Sequence, residues 1–232
     1  MKVCTDACLF GAWAAEKIRD SKSEIQNVLD IGTGTGLLSL MLAQKNQKAN
    51  IDAVEIDEAA SQQANENFEA SPWKEKLNVY NTSIQQFTAT RLTNKQINQL
   101  TSYDLIISNP PFFGNDLKSE NKKRNLALHS LELSFEELIE AAVNILNGEG
   151  MFVVLLPYHR TDEFMQLAKR RSFYVHEKIS VKQTSKHNYF RSMLWLSKKQ
   201  KKMEEDNMII QKESGEYTDE FIDLLKDYYL YL

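Results

Sequence analysis

The chain has 232 residues, 42% hydrophobic and 26% charged, which is enough apolar material for one large domain with a sizeable core. No apolar run reaches the length of a membrane helix and no signal peptide opens the chain, so neither a membrane protein nor a secreted disulfide scaffold is expected, and the cytoplasm is the expected compartment. The formal net charge of −4 argues against binding of nucleic acid by bulk charge, so any polyanion must be met by locally placed cations.

Cys4 and Cys8 lie four apart, which on a helix puts both on one face. With no further Cys and only four His, no metal site is expected, and the thiols are expected to be free in a reducing compartment. Val28-Leu29-Asp30-Ile31 reads as a buried strand that runs into Gly32-Thr33-Gly34-Thr35-Gly36, with a helix beginning near Leu37. Glycines in such a turn let the backbone approach a ligand closely. The spacing is G-x-G-x-G, with Leu37 where a dinucleotide fingerprint needs its third glycine, and no Gly-Lys-Ser/Thr marks a phosphate loop. Asp30, just before the first glycine, would repel a pyrophosphate but can pair with an ammonium, which favours a cofactor with an amino-acid portion.

Asn50 to Asp57 reads as the next strand, and Glu55 near its end is placed to accept both hydroxyls of a ribose. A helix is predicted over Glu58 to Glu69, and Leu77 to Thr82 reads as a third strand ending at Ser83-Ile84, where side chains can touch an adenine ring. Tyr103 to Ser108 is a fourth buried strand, followed by Asn109-Pro110-Pro111-Phe112. That tetrapeptide reads either as a Pro-rich turn or as a stiff corner lined with acceptors. As a corner, the Asn109 side-chain oxygen and the Pro110 carbonyl each take one hydrogen of a planar amine, and Phe112 stacks on its plane. Lys118, Lys122, Lys123 and Arg124 follow in a polar segment that reads as a solvated loop or as cations for phosphates beside a bound base.

Helices are predicted over Phe135 to Asn147 and Asp162 to Lys169, with a last parallel strand over Gly150 to Leu156 between them. Tyr174 to Lys182 and Arg191 to Ser197 read as an antiparallel pair at the sheet edge. Lys198 to Lys202, balanced by Glu204-Glu205-Asp206, reads as a solvated linker, Met208 to Lys212 as a short extra edge strand, and Thr218 to Leu232 as an amphipathic segment docked on the core. Alternating strands and helices imply a mostly parallel sheet with helices on both faces.

An acidic residue with G-x-G-x-G after the first strand, an acid after the second and Asn-Pro-Pro-aromatic after the fourth together resemble the class I S-adenosylmethionine-dependent methyltransferases. The resemblance implies a Rossmann-like α/β fold whose mostly parallel seven-stranded sheet has an antiparallel edge strand. It implies S-adenosylmethionine as cofactor, with Asp30, Gly32, Gly34 and Gly36 lining its methionine and ribose part and Glu55 holding the ribose hydroxyls. Ser83 stands where these enzymes usually carry Asp, so backbone groups at Ile84 are expected to meet the adenine amine. Longer matches, Met1 to Asp6, Leu9 to Ala14, Ser71-Pro72-Trp73, Ser108 to Phe113, Tyr217 to Phe221 and Asp227 to Leu230, look like the bacterial tRNA1(Val) adenine methyltransferases.

Those enzymes modify the exocyclic amine of the adenine 3′ of the anticodon, which implies tRNA as partner, Thr5 and Asp6 near the cofactor, and upstream residues before Met1. The alternative for Thr5 and Asp6 is a helix N-cap. The expected organisation is one domain over 1–232, with an N-terminal helical segment over 1–27, the sheet core over 28–200 and an extension over 201–232. A monomer with no metal and no membrane contact is expected. Related corners serve a guanine amine of ribosomal RNA or a protein glutamine, and a cofactor-binding RNA scaffold without catalysis is the non-enzymatic alternative.

Overall fold

The computed structural model describes residues 4–19, 24–93, 102–110 and 133–231. In chain order they form α1 (Thr5–Arg19), β1 (Asn27–Ile31), α2 (Leu37–Lys45), β2 (Asn50–Glu55), α3 (Glu58–Glu69), β3 (Leu77–Asn81), α4 (Ile84–Thr93), β4 (Tyr103–Ser108), α5 (Phe135–Ile145), β5 (Leu146–Pro157), α6 (Thr161–Arg170), β6 (Tyr174–Lys182), β7 (Tyr189–Ser197), β8 (Glu204–Ile209) and α7 (Asp219–Leu225). None of these helices is long and apolar enough to cross a membrane.

The strands make one sheet in the order β3-β2-β1-β4-β5-β7-β6-β8. Pairing is parallel from β3 through β5, and β7 alone runs against the rest. The fold class is as expected, but the described residues form eight strands and the antiparallel one is interior. The cause is topological. The crossover through α6 sets β6 down parallel to β5 and one place removed from it. The chain then turns back and β7 fills the gap, pairing Val153 with Trp195 on one side and Ile179 with Met193 on the other. β8 closes the edge beside β6, pairing Ile179 with Asp206. Glu204-Glu205-Asp206 is thus strand rather than linker, and the last strand lies earlier than Met208 to Lys212. An edge strand tolerates consecutive carboxylates because they discourage pairing with another chain.

Successive strand residues point to opposite faces, so each central strand feeds two cores. Val28, Ile51, Leu105, Ile107, Val153 and Leu155 pack under α1, α2 and α7, where Leu9, Phe10, Leu42 and Phe221 are fully enclosed. Leu29, Ile31, Ile106, Phe152, Val154 and Leu156 pack against Leu138, Ala142 and Phe164 of α5 and α6 on the other face. Helix starts are encoded locally, as at α3 and α5. The Asp57 carboxylate accepts from the Ala60 N–H at 2.8 Å, and Ser134 with Glu137 forms a reciprocal capping box before α5. Phe221, Tyr228 and Tyr229 dock on the core as expected of the C-terminal segment, whereas Tyr231 stays exposed. Cys8 is buried and Cys4 exposed, and the two form no disulfide with each other.

Candidate active site

The order β2-β1-β4-β5 reverses direction of progression between β1 and β4, and in open parallel sheets ligands sit in the crevice beyond the C-terminal strand ends at that point. The two ends meet here directly. Ile31 is beside Ser108, and the buried Ser108 hydroxyl donates to the Ile31 carbonyl at 2.8 Å. The next residues are the glycine loop on one side and Asn109-Pro110 on the other. Asn109 is half-buried and Pro110 buried. Phe112, Lys118, Lys122, Lys123 and Arg124 lie outside the described residues.

Gly32, Gly34 and Gly36 all have positive φ, at 72°, 59° and 86°. Only glycine takes up such a run at little cost, and that is why three of them alternate here. At Gly36 space is short as well, because an added Cβ would come within 2.5 Å of the Phe68 ring. The loop is held from several sides. The Gly32 N–H donates to the Val54 carbonyl at 2.9 Å, and the Asn67 side chain donates to the Thr35 carbonyl at 2.8 Å. Gly34 donates its N–H to one Glu55 oxygen at 2.8 Å, while the other accepts from the Asp57 N–H at 2.9 Å. Each Glu55 oxygen keeps a further lone pair for a ligand.

Asp30 is enclosed by the glycine loop and the start of α2. It is 0% exposed, and its Oδ2 accepts from the Thr33 hydroxyl at 2.6 Å and the Ser39 hydroxyl at 2.8 Å. Its Oδ1 has no hydrogen-bond partner among the described residues. Burial pushes the Asp30 carboxyl up to about 6, against the opposing pull of Thr33 and Ser39 and with a smaller contribution from the Glu55 charge. Closure of the loop over its own β1 strand explains the burial, since the residue that braces three left-handed glycines has to sit behind them.

Ser83 caps α4 by accepting from the Gln86 N–H at 3.2 Å, and the Ile84 side chain is buried in the core, so only backbone there can address a ligand. Thr5 and Asp6 open α1. Asp6 accepts from the Ala7 N–H at 3.0 Å and from Arg191 Nε at 2.8 Å, which anchors the start of α1 to the start of β7. The sequence reading missed four of these participants: Thr33, Ser39, Arg191 and Ile56. Ile56 is 50% exposed between Glu55 and Asp57, a large apolar side chain left in the open at the ligand edge. The hydroxyls at 33 and 39 were detectable only as the polar positions of an otherwise apolar loop and helix start.

Residues 15–180 match the model of the methyltransferase small domain. A tRNA1(Val) (adenine(37)-N6)-methyltransferase of Flavobacterium psychrophilum is 39% identical over 99% of this chain and 93% of its own length. The enzyme of that name from Trichodesmium erythraeum is 40% identical over 99% and 91%, respectively. Among solved structures, a predicted O-methyltransferase of Agrobacterium tumefaciens superposes with a TM-score of 0.71 at 15% identity over 95% of both chains. A putative RNA methyltransferase of Pyrococcus horikoshii gives 0.55 at 18% identity over 82% of both. These likenesses bear on the fold, whereas the full-length sequence matches establish that the chain belongs to the tRNA1(Val) (adenine(37)-N6)-methyltransferase family.

Proposed function

We propose that this chain methylates the exocyclic amine of an adenine in a tRNA anticodon loop, the base 3′ of the anticodon in tRNA1(Val), using S-adenosylmethionine, and that it does so as a cytoplasmic monomer built as a single domain over residues 1–232. The observation that carries the reading is the Ser108 to Ile31 hydrogen bond, which sets the glycine loop and Asn109-Pro110 side by side at the switch point.

The site fits the cofactor on its own chemistry. A fully buried carboxylate with one unpartnered oxygen, backed by Glu55, favours a cationic group nearby. The backbone of Gly32, Gly34 and Gly36 can be approached closely, and the spare lone pairs of Glu55 suit vicinal hydroxyls. Ile56 offers an apolar shelf to a planar ring, and backbone groups at Ile84, with Ser83 beside them, lie on the β3 side of the same edge. Thr5 and Asp6 approach from the start of α1. When bound, S-adenosylmethionine supplies an electrophilic methyl on a sulfonium.

The protein's own contribution is to grip and orient the amine. An amine conjugated to a ring is a poor nucleophile because its lone pair is delocalised. Asn109 and the Pro110 carbonyl, each accepting one amine hydrogen, favour the pyramidal nitrogen, and their effect therefore grows toward the transition state. Phe112 is assigned the stacking role, and Lys118, Lys122, Lys123 and Arg124, which follow in the chain, the neutralisation of phosphates. An unpaired loop base costs less to extrude than one in a duplex.

The test incubates the protein with methyl-labelled S-adenosylmethionine and total tRNA from a strain lacking the gene, followed by mapping of the labelled nucleoside. N6-methyladenosine beside the anticodon of tRNA1(Val) is expected. Label in ribosomal RNA or in a protein glutamine would replace the assignment, and cofactor binding without any transfer would favour the scaffold.

A further inference from the structure

β5 continues past the level at which β4 ends. Val154 is beside Ser108, and Pro157 lies three residues further, about 10 Å along the strand. Tyr158 follows, and at 36% it is one of the few exposed large hydrophobic side chains among the described residues. β7 starts at the same edge because it runs antiparallel, with Arg191 opposite Pro157. The Tyr158 and Tyr189 rings are thereby set 5.0 Å apart at 34°. Lys182, which ends β6, holds its ammonium 5.3 Å from the centre of the Tyr189 ring. The turn between β6 and β7 adds exposed Lys186 and His187. Among carboxylates on the elements around this edge, Glu213 is ion-paired with Lys186 at 2.9 Å, Asp6 with Arg191 and Glu163 with Arg160, and Asp162 opens α6 beside Glu163.

Tyr158 is exposed and Tyr189 half-buried, and the paired rings carry a lysine over one of them. They suit a ligand with flat aromatic faces joined by anionic links. We propose that Tyr158 and Tyr189 form a stacking platform for an unpaired nucleotide flanking the target base, with Lys182 meeting its phosphate. This rests on the reading of the chain as an RNA adenine methyltransferase. Stacking tolerates any base, so the platform holds the loop open without choosing its sequence, while the corner at Asn109 selects the amine. It also supplies the local cations and aromatics that the acidic chain needs for RNA.

The test uses the full chain and a tRNA anticodon stem-loop carrying 2-aminopurine on one or the other side of the target adenine. Wild-type protein is expected to quench 2-aminopurine at one flanking position. Tyr158→Ala and Tyr189→Ala are each expected to lose that quenching and to raise KM for the RNA between about fivefold and a hundredfold. Cofactor affinity and the rate at saturating RNA are expected to stay within twofold. Tyr158→Phe and Tyr189→Phe, which keep the rings, should behave as wild type, and Lys182→Ala should weaken binding and flatten its salt dependence. Unchanged KM and quenching in the Tyr158→Ala/Tyr189→Ala double variant overturn the platform alone. Wild-type protein that neither binds nor methylates any tRNA overturns the parent reading and the platform with it.

Discussion

The Ser108 hydroxyl donates to the Ile31 carbonyl at 2.8 Å across the point where the strand order reverses, and the bond is buried. It fixes how far the corner stands from the glycine loop. Ser108→Ala removes the donor without changing strand propensity or volume much, and leaves the carbonyl short of one partner at a cost of about 1–3 kcal/mol. The expected outcome is a drop in Tm of a few degrees together with a fall in kcat larger than the loss of cofactor affinity, because reacting groups misplaced by a fraction of an ångström lose alignment. Thermal unfolding, calorimetric titration with S-adenosylmethionine and single-turnover rates check this. A variant with wild-type kcat would show that the bond only supports the fold.

Gly36 faces a second constraint, the Phe68 ring, in addition to its φ of 86°. Gly36→Ala is expected to lose stability from both, about 1–2 kcal/mol for the backbone alone. Pairing it with Phe68→Leu should recover the steric part and leave the conformational part. A double-mutant cycle measured by denaturant unfolding reads the coupling directly. If the two effects simply add, the ring contact contributes nothing.

Asp30 makes the pH dependence predictable. Its folded value of about 6 lies above the ordinary carboxylate value of 3.8, so between the two the folded chain binds a proton that the unfolded chain does not. Its contribution to stability is therefore fully present below about pH 3.8 and is lost as pH rises through about 6, a change on the order of 3 kcal/mol. The unfolding free energy of wild type minus that of Asp30→Asn should fall across this window in the absence of ligand. Cofactor affinity should move the opposite way, rising from pH 5 to pH 7 as the carboxylate ionises, and Asp30→Asn should bind weakly at both. A flat difference curve would remove Asp30 as the titrating group.

How much of this was readable beforehand follows from where each interaction is encoded. The glycine loop, Glu55 and Asn109-Pro110 sit at the ends of apolar runs whose period and punctuation are local, and α3 was legible to the residue because Asp57 caps it. Beyond β5 the antiparallel β6–β7 pair was legible, but the placement of β7 between β5 and β6 and of β8 at the edge was not, because it rests on pairing between strands far apart in sequence. The burial of Asp30 was not legible from the residues that flank it, Leu29 and Ile31. Its enclosure depends on Ser39, nine residues away on α2, and on the positive φ of the loop. The Asp6 to Arg191 pair joins residues 185 apart, and no local pattern announces it.

That pair gives a prediction of its own. With side chains only 16% and 29% exposed, breaking it from one side strands a half-buried charge. Asp6→Asn and Arg191→Gln are each expected to cost about 1–3 kcal/mol, and the double variant less than their sum. Because α1 starts at the ligand edge, the single variants should also weaken S-adenosylmethionine. Additive losses in chemical denaturation would place the two residues in separate roles.

Asn109 separates binding from chemistry. The reading assigns it to the amine and not to the cofactor, so Asn109→Ala should leave the calorimetric affinity for S-adenosylmethionine within about twofold. Removing one preoriented acceptor that acts mainly in the transition state is expected to lower kcat by about 10²–10³. Asn109→Asp retains an acceptor and should keep more activity than alanine, since the amine offers hydrogens and a carboxylate can take them. KM for tRNA should change little in either variant, because base gripping contributes a small part of a contact dominated by phosphates and stacking. Wild-type turnover in Asn109→Ala would return the corner to what its prolines first suggested, a turn after a buried strand.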